Sequence, residues 1–462
     1  MLFSNLHATV YPSVINAVWL TPSGSFRPIR KVNARRQVTS NGMHSCISDI
    51  WSACWTGRFY FGLLVFVVVV NEVSGSSIAT NGNEETKGNI KFSLDLYKKL
   101  ADVNGNLVTS PASLEIVLAL TYIGAKGSTA RQIASVINKT NDPKSVTSSA
   151  LSLLKVLKSA DNVTLESASG MFIQKHFEVK NEFKLAGESL SSVAQNTDFS
   201  QAETAASVIN KWVEQATNGK IKNMVSEDSI SPFTKLILIN AIYFKAPWKI
   251  PFNKKQTSIE PFYTTRTQKK DVPMMYMKKR LGYSQLDEID SDVLELQYEG
   301  RNLSMVILLP RKIDGLRVLE NQLRVADIIE ALRTIYPAEV EVTLPRFLLQ
   351  NDINLNPTLI KLGLSDMFDR NLADFSGISD TGLFVSQVKQ RTFIEVNEKG
   401  TEAAASTTSS IRMRRSLEQE KIFRADHPFS YFIFDKTCDV ILFFGRIVDA
   451  TQRPNYLLRD EL

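Results

Sequence analysis

Cysteine is almost missing from this chain: Cys46, Cys54 and Cys438 are the only three in 462 residues. The first two fall in a segment that reads as a removable leader, so Cys438 stands alone and no intrachain disulfide is expected. Stability must then come from a large core. Histidine is as scarce. Beyond residue 75 only His176 and His427 remain, too few for a histidine metal site, and neither metal nor cofactor is expected. His427, in Ala425-Asp426-His427-Pro428-Phe429 before a strand-like run, reads as a buried, hydrogen-bonded histidine rather than a catalytic base. There is no Gly-x-Ser-x-Gly, no His-Glu-x-x-His and no glycine-rich loop followed by lysine. These absences argue against an enzyme. Excess charge is lacking too. The net charge is +6, but residues 1–75 hold six Lys/Arg against Asp49 and Glu72, which leaves +2 for the remainder. That is too little to argue for nucleic acid, and no basic stripe near Lys155 and Lys158 implies a heparin site.

The apolar run Phe59–Val70, 12 residues behind Arg58, is too short for a comfortable membrane span and suits the core of a signal peptide. A start at Met43 would give it a more usual distance from the N-terminus, with cleavage near Val73-Ser74-Gly75. An uncleaved anchor is the alternative, and either places the remainder in the lumen. Three Asn-x-Ser/Thr sequons, Asn138, Asn162 and Asn302, fit a glycoprotein of that compartment. The terminal Arg459-Asp460-Glu461-Leu462 closely resembles the Lys-Asp-Glu-Leu address read by the retrieval receptor of the endoplasmic reticulum. The expected location is therefore the lumen of the endoplasmic reticulum and early secretory pathway, with some secretion. The resulting division is a leader at 1–75, a polar segment at 76–87, a domain at 88–451 and a tail at 452–462.

Within the domain, Phe92, Leu96 and Leu100 form one stripe and predict a helix over 89–100. Ser110-Pro111 suits a helix start, with Leu114, Leu118 and Tyr122 following and Gly124 closing it. Thr129 is expected to open another helix toward Ile133 and Ile137. The run Leu236–Ile239, continued by Ala241 to Phe244, suits a central strand covered on both faces. Similar runs stand at 303–309 and at 440–444, the latter ending in Gly445. No repeat or Pro/Gly-rich linker divides 89–455, which predicts one large α+β domain.

Between Thr401 and His427 there is neither glycine nor proline, the residues that punctuate most loops. The segment Glu398-Lys399-Gly400-Thr401-Glu402-Ala403-Ala404-Ala405-Ser406-Thr407 can be a solvated linker, yet nothing in it forbids a strand. With period two, Thr401, Ala403, Ala405, Thr407, Ser409, Ile411 and Met413 share one face, while Glu402, Arg412 and Arg414 share the other. One face could enter a sheet's interior while the charges stay in solvent.

Ordered motifs then resemble the serpin family over essentially all of 88–451. They include Asn106-Leu-Val-Thr-Ser-Pro-Ala-Ser113, Gly124-Ala125, Ile209-Asn-Lys-Trp-Val213 and Asn240-Ala-Ile-Tyr-Phe-Lys-Ala-Pro-Trp248. Later come Pro345-Arg-Phe347, Leu362-Gly-Leu364, Ala373-Asp-Phe-Ser-Gly377, Ala425-Asp-His-Pro-Phe429 and Ile441-Leu-Phe-Phe-Gly-Arg-Ile447. The resemblance implies three β-sheets with eight or nine helices and an exposed reactive loop, here 398–424. It implies a monomeric suicide inhibitor that forms a covalent complex with a serine protease. Cleavage leaves the protease acyl-linked, and the loop inserts as a new strand of the central sheet before hydrolysis completes. On that template Gly400 is a hinge and Glu398, Thr401, Glu402, Ala403, Ala404 and Ala405 lead the insertion. Ser110, Ser113 and Asn240 match the cluster where the sheet opens, and Trp248 matches its upper mouth. Gln390 stands where many members carry histidine, which puts a histidine-linked pH trigger in doubt.

By the family's commonest spacing from Glu398, the attacked bond is Arg414–Arg415. A loop longer by one residue gives Arg415–Ser416. The second is preferred because Arg412-Met413-Arg414-Arg415 then matches the Arg-x-Lys/Arg-Arg pattern of furin-like proprotein convertases, whose acidic subsites read several arginines. A trypsin-like target, needing only one arginine, remains open. So does a non-inhibitory chaperone like the collagen-binding serpin, although a chaperone has no need of an insertable Thr-Glu-Ala-Ala-Ala run.

Overall fold

The computed structural model describes residues 84–102, 104–158, 163–300, 302–399 and 420–451, together with two short strands near the N-terminus. Contacts divide the chain into two units, Met1–Gly75 and Ser76–Leu462. In the first, β1 (Val18–Leu20) pairs antiparallel with β2 (Phe26–Pro28).

Among the described residues the second unit carries nine α-helices. The first five are α1 (Glu84–Leu100), α2 (Pro111–Gly124), α3 (Gly127–Val136), α4 (Pro143–Lys158) and α5 (Asn181–Ser189). The stripe Phe92, Leu96 and Leu100 of α1 is buried. Helix α2 begins as its sequence predicts. The Ser110 hydroxyl accepts from the Ser113 N–H at 3.4 Å, and Pro111 fills the first turn, where its missing N–H costs nothing. This helix is buried nearly all round, so it runs through the core rather than over it. Helix α3 starts at Gly127, two residues before Thr129, where a positive φ of 53° turns the chain into it.

Helix α6 (Ala202–Ala216) lies across a five-stranded sheet of order β12-β13-β6-β4-β5. Its strands are β4 (Thr164–Gln174), β5 (Ser192–Thr197), β6 (Leu236–Lys245), β12 (Phe347–Asn354) and β13 (Gln387–Val396). The expected central strand is β6, buried from Leu236 to Phe244. Trp212 of α6 packs so closely on β4 that a Cβ on Gly170 would lie 2.7 Å from its ring.

The remaining strands form one nine-stranded sheet: β3 (Leu107–Thr109), β7 (Ser258–Tyr263), β8 (Lys269–Leu286), β9 (Ser291–Gln297), β10 (Leu303–Pro310), β11 (Tyr336–Pro345), β14 (Lys421–Arg424), β15 (Phe429–Asp435) and β16 (Val440–Ile447). The three sheets implied by resemblance thus occur as the five-stranded sheet and two others hydrogen-bonded into a continuous path. The 18-residue β8 joins them, pairing with β7 and β11 along its first part and with β9 along its last. Strand β16 does not stop at Gly445. It continues to Ile447, and the glycine permits close approach, since a Cβ there would lie 2.5 Å from the Leu107 carbonyl of β3. Helices α7 (Leu316–Gln322), α8 (Val325–Thr334) and α9 (Asn356–Leu362) complete the unit. Each fully buried Leu, Ile or Phe of these layers contributes about 1.5–3 kcal/mol.

Candidate functional site

Strands β6 and β13 are neighbours in the five-stranded path and run parallel, although they lie about 150 residues apart in sequence. They pair from Gln387↔Ile237 to Ile394↔Phe244, a seam of about 25 Å. Beyond β13 come Asn397, Glu398 and Lys399, and then the hinge glycine of the sequence reading. Because the two strands are parallel, a chain that turned back after β13 and entered between them would run antiparallel to both. Parallel pairing is slightly the weaker of the two patterns.

The seam is closed on its inner face by side-chain amides. The Gln390 Oε1 accepts from the Thr109 hydroxyl and from the Ser110 N–H at 3.2 Å. Its Nε2 donates to the Ser110 carbonyl at 3.0 Å and across the seam to Asn240 Oδ1 at 2.7 Å. Ser113 donates to the same Asn240 oxygen at 2.8 Å, and Asn240 Nδ2 donates to the Ser169 hydroxyl at 3.2 Å. Ser110 donates to the Leu442 carbonyl at 2.7 Å. All of these side chains are buried. The structure therefore brings Ser110, Ser113, Asn240 and Gln390 into one network. It adds Thr109 and Ser169, which sequence reading missed; only Thr109, beside Ser110, offered a hint. An amide carries two donors and two acceptor sites, and Gln390 uses all of them without a titrating proton.

Trp248 stands beyond the upper end of the seam. Its Nε1 donates to the Asn397 carbonyl at 2.8 Å, and its ring stacks on Tyr298 at 4.4 Å. The neighbouring Glu398 is buried. Its carboxylate accepts from the Thr257 hydroxyl at 2.9 Å and lies 3.8 Å from Arg346, while its carbonyl accepts from the Phe252 N–H at 2.9 Å. Lys245 of β6 reaches Glu395 of β13 at 2.9 Å, a half-exposed ion pair across the seam worth at most about 1 kcal/mol. The end of β13 and the residues after it are thus pinned at three positions, Glu395, Asn397 and Glu398. No sequence signal marked Thr257, and Arg346 stood only inside the Pro345-Arg-Phe347 motif, with no role given to it.

His427 is buried, as its sequence context suggested. Its Nδ1 lies 2.9 Å from Asp426 Oδ1 and its Nε2 is 2.7 Å from the Pro310 carbonyl. Burial alone raises the Asp426 carboxyl, but the bonds from His427 and Arg424 outweigh it and hold the group below its usual range. Asn302 is exposed, its Nδ2 donating to the Thr437 hydroxyl at 3.3 Å. Asn138 is half-buried with a φ of 53°. Gly400, Thr401, Glu402, Ala403, Ala404, Ala405, Arg412, Arg414, Arg415, Ser416, Asn162, the leader run 59–70 and Arg459 to Leu462 lie outside the described residues. Among the described residues no group of three or more His, Cys, Asp or Glu could hold a metal ion, and no helix is long and apolar enough to cross a membrane.

A family model described as serpin (serine protease inhibitor) matches residues 87–450. The leukocyte elastase inhibitor of Homo sapiens is 38% identical over 377 residues, covering 78% of this chain and 98% of that protein. Serpin B6 of Macaca fascicularis is 37% identical over 368 residues, covering 78% and 98%. Among solved structures, Serpin48 of Tenebrio molitor superposes with a TM-score of 0.72 at 30% identity, covering 80% of this chain and 99% of that one. Uncleaved ovalbumin does so with a TM-score of 0.72 at 28% identity, covering 79% and 100%.

Proposed function

The chain belongs to the serpin family, and we propose that it is a serine protease inhibitor that traps furin-like proprotein convertases in the lumen of the early secretory pathway. The observation that carries the reading is the pairing of an insertable hinge with a polybasic bait. Thr401-Glu402-Ala403-Ala404-Ala405 presents small residues at alternate positions, and Arg412-Met413-Arg414-Arg415 follows in the same loop. Small inward residues can pass between parting strands without overpacking. The closed parallel seam between β6 and β13 supplies the place for them. Fifteen residues from Thr401 to Arg415 make a strand of about 50 Å, enough to carry an attached protease along most of the sheet.

In this reading the protease serine attacks the Arg415 carbonyl, the Arg415–Ser416 bond breaks, and the acyl-enzyme is dragged before water reaches it. Arg412, Arg414 and Arg415 occupy acidic subsites. The Arg459–Leu462 tail engages the retrieval receptor and keeps the inhibitor where convertases mature. The test is incubation of residues 76–462 with furin and, separately, with trypsin. A complex with furin that survives SDS, with release of a peptide beginning at Ser416, is the expected result. A peptide beginning at Arg415 moves the bond to Arg414–Arg415, and trapping of trypsin alone replaces the convertase with a trypsin-like target.

A further inference from the structure

The outer face of the seam is built differently from the inner one, and the difference bears on how quickly the sheet can open. Phe393 of β13 and Tyr243 of β6 are direct partners in the parallel register, with their rings stacked at 4.7 Å and 19° between planes. The Lys220 ammonium lies 5.6 Å from the centre of the Tyr243 ring. Two residues on, the Lys222 carbonyl accepts from the Arg391 guanidinium, whose other arm is held by Asp352 of β12. The segment that follows α6 therefore touches both lips, a cation over β6 and a carbonyl on β13. It is itself anchored, since Asn210 of α6 bonds the Val225 N–H and carbonyl, each at 2.8 Å. Tyr243, Phe393 and the α6 residues Ala205, Ala206, Ile209 and Val213 belong to one buried cluster.

We propose that the Phe393–Tyr243 stack, with residues 217–225 strapped over it, is an aromatic clasp that sets the rate of strand insertion. The proposal rests on loop insertion as the mode of inhibition. A strand entering between β6 and β13 places them about 9.5 Å apart, twice the present ring separation, so the stack cannot survive. Lys220 and the Lys222 carbonyl cannot then hold both lips at once. The clasp is lost on opening and nothing in the inserted loop's small residues replaces it. It therefore stabilises the closed sheet relative to the opened one, and its removal speeds opening. These two side chains act through the sheet and touch no protease, so they position rather than catalyse.

The experiment uses residues 76–462 carrying Phe393→Val, with Phe393→Tyr as the conservative control. Valine suits a strand but cannot stack. The first readout needs no protease: the rate at which a synthetic peptide of residues 401–414 anneals into the sheet. The expected result is an increase of about fivefold for Phe393→Val, equivalent to about 1 kcal/mol, with wild-type behaviour for Phe393→Tyr. The second readout is the fraction of trypsin trapped per loop cleaved, which should rise with the same variant. An unchanged annealing rate in a Phe393→Val protein whose urea midpoint has fallen would overturn the clasp and leave only ordinary packing. A wild-type sheet that takes up no peptide would overturn it as well. Faster annealing without any trapped protease would instead leave the clasp standing and remove the inhibitory function proposed above.

Discussion

Replacing Gln390 by leucine removes four hydrogen bonds while nearly preserving volume, so its cost comes from polar groups and not from a cavity. Three partner groups can be followed individually. Asn240 Oδ1 keeps its bond from Ser113, and its loss is that of one bond, about 1 kcal/mol. The Ser110 N–H is a fixed backbone donor whose acceptor is Gln390 Oε1, and the Thr109 hydroxyl points to the same oxygen. Both are buried, and a buried group left without a partner costs about 1–3 kcal/mol. The total is about 3–7 kcal/mol, against a typical folding stability of about 5–15 kcal/mol. With a urea slope of ~3 kcal/mol per molar for a chain this size, the first unfolding midpoint of residues 76–462 should fall by about 1–2 M. Denaturation followed by tryptophan fluorescence is suited to this, since Trp248 lies at the end of the same seam. A fall smaller than about 0.3 M would show that the four-bond network contributes little and that Gln390 is not what closes the inner face.

Three further outcomes follow from the proposed function. Arg412→Ala should slow trapping of furin by at least about tenfold, the scale of one lost charge-assisted contact, and trypsin hardly at all; equal slowing of both enzymes would count against convertase selectivity. Deleting Arg459–Leu462 should move the protein from the endoplasmic reticulum into the medium, as immunoblots of cells and medium would show, because such a tail is a receptor-read address; unchanged retention would point to anchoring through Phe59–Val70. Thr401→Arg asks a cation to enter a packed interior unpaired, at a cost of several kcal/mol; cleavage should continue while SDS-resistant complexes nearly vanish, and normal trapping by this variant would refute insertion.

What could be read from the sequence was whatever local chemistry decides. Ser110-Pro111 announced α2 because a cap and a first-turn proline act within four residues. The apolar run at 236–244 announced β6 because a strand covered on both faces has no polar phase. His427 was readable as a buried, bonded side chain from its neighbours alone. Gly445 misled, because a glycine that ends a strand and one that admits a neighbouring backbone look identical until β3 is in place. The start of α3 was misplaced for a related reason, since Gly127 at positive φ serves the helix entry and Thr129 already lies inside it. Ser110, Ser113, Asn240 and Gln390 were grouped by family resemblance, yet their bonding pattern needed coordinates, because it joins residues up to 280 positions apart. The Tyr243–Phe393 stack was beyond reach altogether. It depends on the register of two parallel strands 150 residues apart, and a shift of one residue would send one ring to the opposite face.

The two faces and two ends of the seam together explain how a sheet can be both closed and ready to open. Its backbone bonds are no obstacle in the final balance, because an inserted antiparallel strand would satisfy both lips at least as well as they satisfy each other. Closure must therefore come from groups that the inserted loop cannot reproduce. On the inner face these are the Gln390–Asn240 bond and its partners on α2; on the outer face, the Phe393–Tyr243 stack and the strap after α6. The upper end is held by Trp248 on the Asn397 carbonyl. The lower end is held where the Ser386 N–H meets the Leu236 carbonyl and the Lys235 N–H meets the Ser386 hydroxyl. Each is a short-range contact worth about a kilocalorie or a few, and each fails once the lips separate. A strand entering from the β13 end meets them in order along its path, so closure is lost stepwise while each newly seated residue restores backbone bonds on both sides. A barrier made of small successive contacts can be crossed within the lifetime of an acyl-enzyme, whereas one large contact of the same total would have to break before anything was gained.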